Sequence, residues 1–193
     1  MKNEEILADA LKVLRDGGVI LYPTDTVWGL GCDATNEEAV RKIFEIKHRD
    51  EAKSLVLLAC DMDMVAKHIK EIPNIAIDLV EVNDSPMTLI YPGAQYLAPS
   101  VIAEDGSVGI RIPLDEGGGE FCKKLIYKLR KPIVSTSANI SGEPTPKSFA
   151  DISEDIKSAV DYIVPKSVGN GASGKASQII KLGLKGEVEV IRG

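Results

Sequence analysis

"KPIVSTSANISG", Lys131–Gly142, joins an apolar run to a row of small polar side chains. It opens as a buried strand, because Pro132 is followed by the β-branched pair Ile133 and Val134. Five of the seven residues from Ser135 to Ser141 are then Ser, Thr, Ser, Asn and Ser. Ligand sites in α/β proteins favour the carboxyl ends of strands, and small hydroxyl and amide side chains there can approach a ligand closely. The bland alternative is a helix N-cap or an Asx/Ser turn, since Ser and Asn favour both.

Outward from this strand, helix-period and strand-like segments interleave to both ends of the chain, with no internal repeat and no low-complexity tract. A first helix carries Ile6, Leu7, Ala10, Leu11 and Leu14 on one side and stops at Gly17-Gly18. "VILYP" reads as a short buried strand, and Asn36-Glu37-Glu38 as a capped helix start. "SLVLLA", "PMTLIYP" and "SVGIRIP" read as strands, with helices over Met62 to Lys70, after Pro73 and over "GEFCKKLIYKLR". Helical "KSFADISEDIKSAV" and strand-like "YIVP", "SQIIKL" and "EVEVI" finish the chain. Such mixing predicts an α/β (α+β) domain with a central sheet, mixed because the C-terminal strands have short connections, and with no clean linker the chain reads as a single domain over 1–193.

Composition bounds the function. The 193 residues are 44% hydrophobic and 27% charged, as in a soluble globular protein. A net charge of −6 and a pI of about 5.1 argue against sequence-independent nucleic-acid binding, which neutralises many phosphates. Cys32, Cys60 and Cys122 form no CxxC pair, so neither a disulfide framework nor a zinc site is expected, and a reducing cytoplasm fits. The N-terminal stretch carries acids throughout, unlike a signal peptide, and the apolar run "LVLLAC" is too short to span a bilayer, so no membrane role is expected.

Four further stretches could carry chemistry. "YPTDTVWGLGCDA", Tyr22–Ala34, ends a strand in Thr24, Asp25 and Thr26, with Gly29 and Gly31 read as permitting tight turns. Its bland reading is an ordinary Thr/Asp turn. "KHRDEAKS" places Lys47, Arg49 and Lys53 within seven residues. Cations at a helix C-terminus can simply offset the dipole, but a triphosphate needs such a cluster, and Arg adds a two-pronged donor. Arg111 alternates with Val108, Ile110 and Ile112; it faces water in a half-exposed sheet, or a carboxylate in a cleft if both faces are covered. Gly169, Gly174 and Lys175 match a P-loop frame, yet Ala176 replaces the required Ser/Thr and "SQIIKL" is strand-like, so a glycine-rich flap or plain loop reads better. His48 and His68 are in no metal or triad spacing and are expected at the surface.

"PTDTVWGLG", "KHR" and "STSANISG", in this order and spacing, resemble the YrdC-like (TsaC-type) threonylcarbamoyl-AMP synthases over nearly the whole chain. The resemblance implies a twisted, mostly mixed β-sheet flanked by helices around a deep central cleft. It also implies a nucleotidyltransferase reaction that joins L-threonine, bicarbonate or CO2, and ATP. The products are threonylcarbamoyl-AMP and pyrophosphate, and the former feeds threonylcarbamoyladenosine modification of tRNA through downstream transferase proteins. By resemblance, Lys47 and Arg49 are catalytic, and Lys47, Arg49 and Lys53 hold phosphates with Mg2+ assisting. Ser107, Ser137, Asn139, Thr145 and Arg192 would contact ATP. Thr26, Arg111, Ser135 and Ser177 would hold threonine, Arg111 on its carboxylate. Three departures stand out: Asp50 and Ser54 replace prolines common in relatives, Leu58 stands where many carry histidine, and Trp28 stands where Tyr or Phe is usual.

Two other readings compete. An RNA-binding or ribosome-assembly module of this fold is opposed by the acidic pI and by an aromatic content of only 5%; direct tRNA binding is expected to be weak or absent. A carbamoyl-transfer domain of the hydrogenase-maturation type normally accompanies zinc-finger and acylphosphatase-like segments, which this sequence lacks.

Overall fold

The computed structural model describes residues 2–49, 55–169 and 173–193. Asp50, Lys53 and Ser54, singled out above, lie outside the described residues. In chain order the elements are α1 (Asn3–Arg15), β1 (Ile20–Pro23), β2 (Trp28–Gly31), α2 (Glu37–Lys47), β3 (Val56–Leu58) and α3 (Met62–His68). Then come α4 (Asn74–Val82), β4 (Met87–Tyr91), β5 (Val108–Arg111), α5 (Gly119–Leu129) and β6 (Ile133–Ser137). The chain closes with α6 (Glu154–Ala159), β7 (Tyr162–Ile163), β8 (Gln178–Leu182) and β9 (Val188–Arg192).

Among the described residues the strands form one mixed sheet in the order β7-β1-β2-β6-β3-β5-β4-β8-β9. Strand β6 is central: it runs antiparallel to β2 on one side and to β3 on the other. Ile133 and Val134, which point to opposite faces, are both fully buried, so the sheet is covered on both sides there. Helices α1 and α5 pack together over the sheet. Ile6, Leu7, Ala10 and Leu14 of α1 and Phe121, Cys122, Leu125, Ile126 and Leu129 of α5 are buried, as their three-and-four spacing requires. No helix among the described residues is long and apolar enough to cross a membrane.

Helix α2 shows how local sequence positions the site. The Asn36 side chain accepts from the Ala39 N–H at 3.1 Å and caps the first turn. Ala39, Val40, Ile43, Phe44 and Lys47 recur at helical period and are buried. The helix stops where His48 enters the left-handed region at φ 51°. The next N–H, of Arg49, then donates back to Phe44 O at 2.9 Å. That turn swings Arg49 off the helix.

Three sequence expectations are corrected. Gly29 and Gly31 are not turn residues but lie within β2, and neither has a positive φ. At Gly31 the need is space: a Cβ there would sit 2.6 Å from the Tyr22 ring and 2.8 Å from Val134 O. The ring lies across β2 because its hydroxyl donates to Val134 O at 3.0 Å. The segment read as one helix, "KSFADISEDIKSAV", is a 3-10 turn over Phe149–Asp151 and the short α6, separated by Ile152 and the Ser153 cap. His68 is buried rather than at the surface, with Nδ1 3.3 Å from Gln95 O. The single-sequence pattern missed it because the covering segment, at Gln95, is distant in sequence.

Candidate active site

Cross-strand partners in a sheet share a face, so register alone can assemble a site. One row runs Ile133, Leu58, Arg111, Thr88, Ile179 and Arg192 across β6, β3, β5, β4, β8 and β9. The next row carries Ser135, Val56 and Gly109, and Ser137 faces Gly29 of β2. This is the face on which the polar end of β6 emerges.

A cavity of about 360 Å3 opens over it. Its walls include Thr26, Arg49, Arg111, Ser135, Ser137, Thr145, Ser177 and Arg192. Structure thus brings together eight of the residues named from sequence, from segments as distant as Thr26 and Arg192. Among the described residues three arginines line the cavity and no carboxylate does. In a chain of net charge −6, that is a local reversal of sign suited to an anion.

Arg111 is only 4% exposed, and it ion-pairs with the fully buried Asp25. Asp25 also accepts from the Leu114 N–H at 3.0 Å, and an Arg111 amino group lies 3.4 Å from Thr26 Oγ1. Thr26 is fixed in turn by Thr24, whose Oγ1 accepts from the Thr26 N–H at 3.0 Å and donates to Val27 O at 2.7 Å. Asp25 was noticed in the sequence but not assigned to the site. Its signal, a carboxylate between two threonines at a strand end, gains meaning only when Arg111 is seen beside it. A guanidinium held on one side by Asp25 keeps further donors for a second carboxylate.

The roof comes from the glycine-rich loop. Ser173 and Gly174 donate backbone N–H groups to Asp25 O and Thr26 O at 3.3 and 3.0 Å. Ser177 shares a 2.7 Å hydrogen bond with Thr88, and its carbonyl accepts from Arg192 Nε at 2.9 Å. The loop leads into β8, not into a helix, in keeping with the rejected P-loop reading.

Three named residues do not line this cavity. Lys47 is 1% exposed, and its Nζ donates to the Ser137 carbonyl while its own carbonyl accepts from the Ser141 N–H at 2.8 Å. It bolts the end of α2 to the exit of β6. Burial, and secondarily the charge of Arg49, bring its pKa down to about 8. Burial also lowers the pKa of Arg49. Asn139 donates to Ile140 O and Glu143 O, both at 3.0 Å, and so shapes the turn after β6. Ser107 lies in an adjoining cavity of about 460 Å3, where its hydroxyl donates to Asp105 at 2.5 Å. The two cavities share Leu55, Val56 and Ile179 as a common wall. The second is mainly apolar, with Ile90, Ala103, Val108 and Ile191 around a polar rim of Glu104, Asp105 and Lys181. Asp105 is held well below the usual carboxylate range by Lys181 and Ser107. Leu58 is fully buried beside Arg111.

Burial pushes the thiols of Cys32 and Cys122 upward, so they stay protonated at neutral pH. Among the described residues no group of three or more His, Cys, Asp or Glu is placed to hold a metal ion.

The family model for Sua5/YciO/YrdC proteins, described as "Telomere recombination", matches residues 12–193. The chain belongs to this family. It is 31% identical over 172 residues to a threonylcarbamoyl-AMP synthase of Pseudoalteromonas translucida, covering 88% of this chain and 90% of that protein. It is 32% identical over 161 residues to one of Pseudomonas aeruginosa, covering 83% and 84% respectively. Its fold matches the crystal structure of P. abyssi Sua5 complexed with L-threonine, with a TM-score of 0.84 and 31% identity, over 94% of this chain. The chain spans about half, 52%, of that Sua5 chain.

Proposed function

We propose that this chain is a threonylcarbamoyl-AMP synthase, condensing L-threonine, bicarbonate or CO2, and ATP. The observation that carries the reading is the cavity lined by Arg49, Arg111 and Arg192 with serine and threonine hydroxyls. The relatives named above are threonylcarbamoyl-AMP synthases, and the matched Sua5 structure holds L-threonine.

In this reading the threonine carboxylate pairs with Arg111, beside Thr26, Ser135 and Ser177. The threonine amine, as its carbamate, presents an oxygen to the α-phosphorus of ATP. The carbamate oxygen–phosphorus bond forms as the bond to the β-phosphate bridging oxygen breaks, and pyrophosphate leaves with that electron pair. Such transfer depends on alignment and charge stabilisation more than on a protein nucleophile. Arg49 and Arg192 take the phosphates, with Ser137 and Thr145 donating neutral hydrogen bonds. Lys53 joins them by resemblance. Lys47 adds charge from behind the wall and fixes Ser137, while Asn139 holds the turn that presents it. The apolar cavity beside Ser107 takes the nucleoside. Mg2+ enters with ATP as part of the substrate. The adenylate passes to a tRNA-modifying transferase in the cytoplasm.

The test is pyrophosphate release by purified protein with MgATP and bicarbonate, with and without L-threonine. Release that needs both threonine and bicarbonate supports the proposal. Absence of release from folded protein at every threonine concentration refutes it.

A further inference from the structure

Adjacent residues of a β-strand point to opposite faces. On β9, Glu189 pairs with Lys181 and Val190 with Ile180, so Glu189 and Ile191 follow the face of Lys181 and Ile179 while Val190 faces away. Regular alternation would turn Arg192 away as well. Instead the register slips: Ile179 pairs with Arg192 although Ile180 pairs with Val190, so β9 advances two residues while β8 advances one. This β-bulge puts two consecutive side chains on one face. Both are in use, because Arg192 lines the arginine-rich cavity and Ile191 lines the apolar one next to it. The Arg192 Nε bond to Ser177 O holds the bulged strand in place at 2.9 Å. Ile191 is 50% exposed, so it has apolar surface left to cover.

We propose that the Ile191–Arg192 bulge is a clamp with two jaws, Arg192 on the phosphates and Ile191 against the nucleoside. Ile191 is then a specificity-determining residue for ATP, and the bulge lets one strand end serve both cavities. The inference rests on the ATP-consuming reading above.

The experiment compares wild type, Ile191→Ala, Arg192→Ala and a deletion of Ile191 that restores regular pairing with Arg192 still opposite Ile179. Binding of ATP and of inorganic tripolyphosphate is measured by calorimetry, together with KM values for ATP and threonine. Ile191→Ala and the deletion are expected to weaken ATP binding about 3- to 10-fold, from lost apolar contact. They should leave tripolyphosphate binding, threonine KM and melting temperature unchanged. Arg192→Ala should weaken ATP and tripolyphosphate alike. ATP affinity unaltered in both Ile191 variants, or tripolyphosphate affinity falling with it, overturns the clamp. Failure of the wild type to bind ATP at all would instead sink the synthase reading.

Discussion

Replacing Lys47 by Met is expected to stabilise the ligand-free protein while impairing its use of ATP. The amine is 1% exposed, and burial takes its pKa from 10.5 down to about 8. One pKa unit corresponds to about 1.4 kcal/mol, so keeping the charge in the folded state costs about 3 kcal/mol below pH 8. Methionine has a similar reach without the charge, but it gives up the Nζ donation to Ser137 O, about 1 kcal/mol. The net gain at pH 7 is about 2 kcal/mol, or roughly 4–8 °C in Tm for a chain of this size. The dependence on pH is the sharper check. Between pH 8 and 10.5 the unfolded chain binds the proton that folded Lys47 has lost, so wild-type stability rises with pH across that window. Urea denaturation of both proteins at pH 7 and pH 10 reads this directly. The variant should lead at pH 7 and lose most of its lead by pH 10. A variant less stable than wild type at pH 7, or a gap that does not narrow with pH, would show that the buried Lys47 charge does not cost the stability assigned to it.

Three other outcomes follow from the same geometry. Arg49→Ala should lower kcat/KM for ATP at least about 100-fold, the loss of about 3 kcal/mol of charge-assisted contact, with little change in Tm; parallel loss of both would assign it a structural role. Asp25→Asn should destabilise by about 3–5 kcal/mol, measured by urea denaturation, because it leaves the buried Arg111 charge uncompensated. Gly31→Ala should cost about 1–3 kcal/mol by thermal melting, since its Cβ meets the Tyr22 ring and the Val134 carbonyl, whereas Gly29→Ala, with no contact under 3.3 Å, should cost less.

Elements with strong local signals are legible in the sequence alone. Asn36 and the three-and-four spacing behind it set α2, and the β-branched residues of "PIV" with the hydroxyls after them set β6 and its polar exit. The sequence also supplied the three motifs that mark the family, because those residue types sit at fixed short spacings. What the tertiary structure decided depends on pairings between distant segments. The strand β2 was hidden because its glycines carry no hydrophobic pattern, and their need for space comes from a ring on the neighbouring strand. Whether Arg111 faced water or a carboxylate was undecidable from alternation alone. The covering of both sheet faces and the pairing with Asp25, 86 residues away, settled it. That the Lys47 amine reaches the Ser137 carbonyl depends on the packing of α2 against β6, which the motif beside Arg49 does not encode. Arg192 reaches the cavity through a register slip that no local propensity encodes, since a strand's alternation fixes its faces only until a ladder of hydrogen bonds from another strand shifts them.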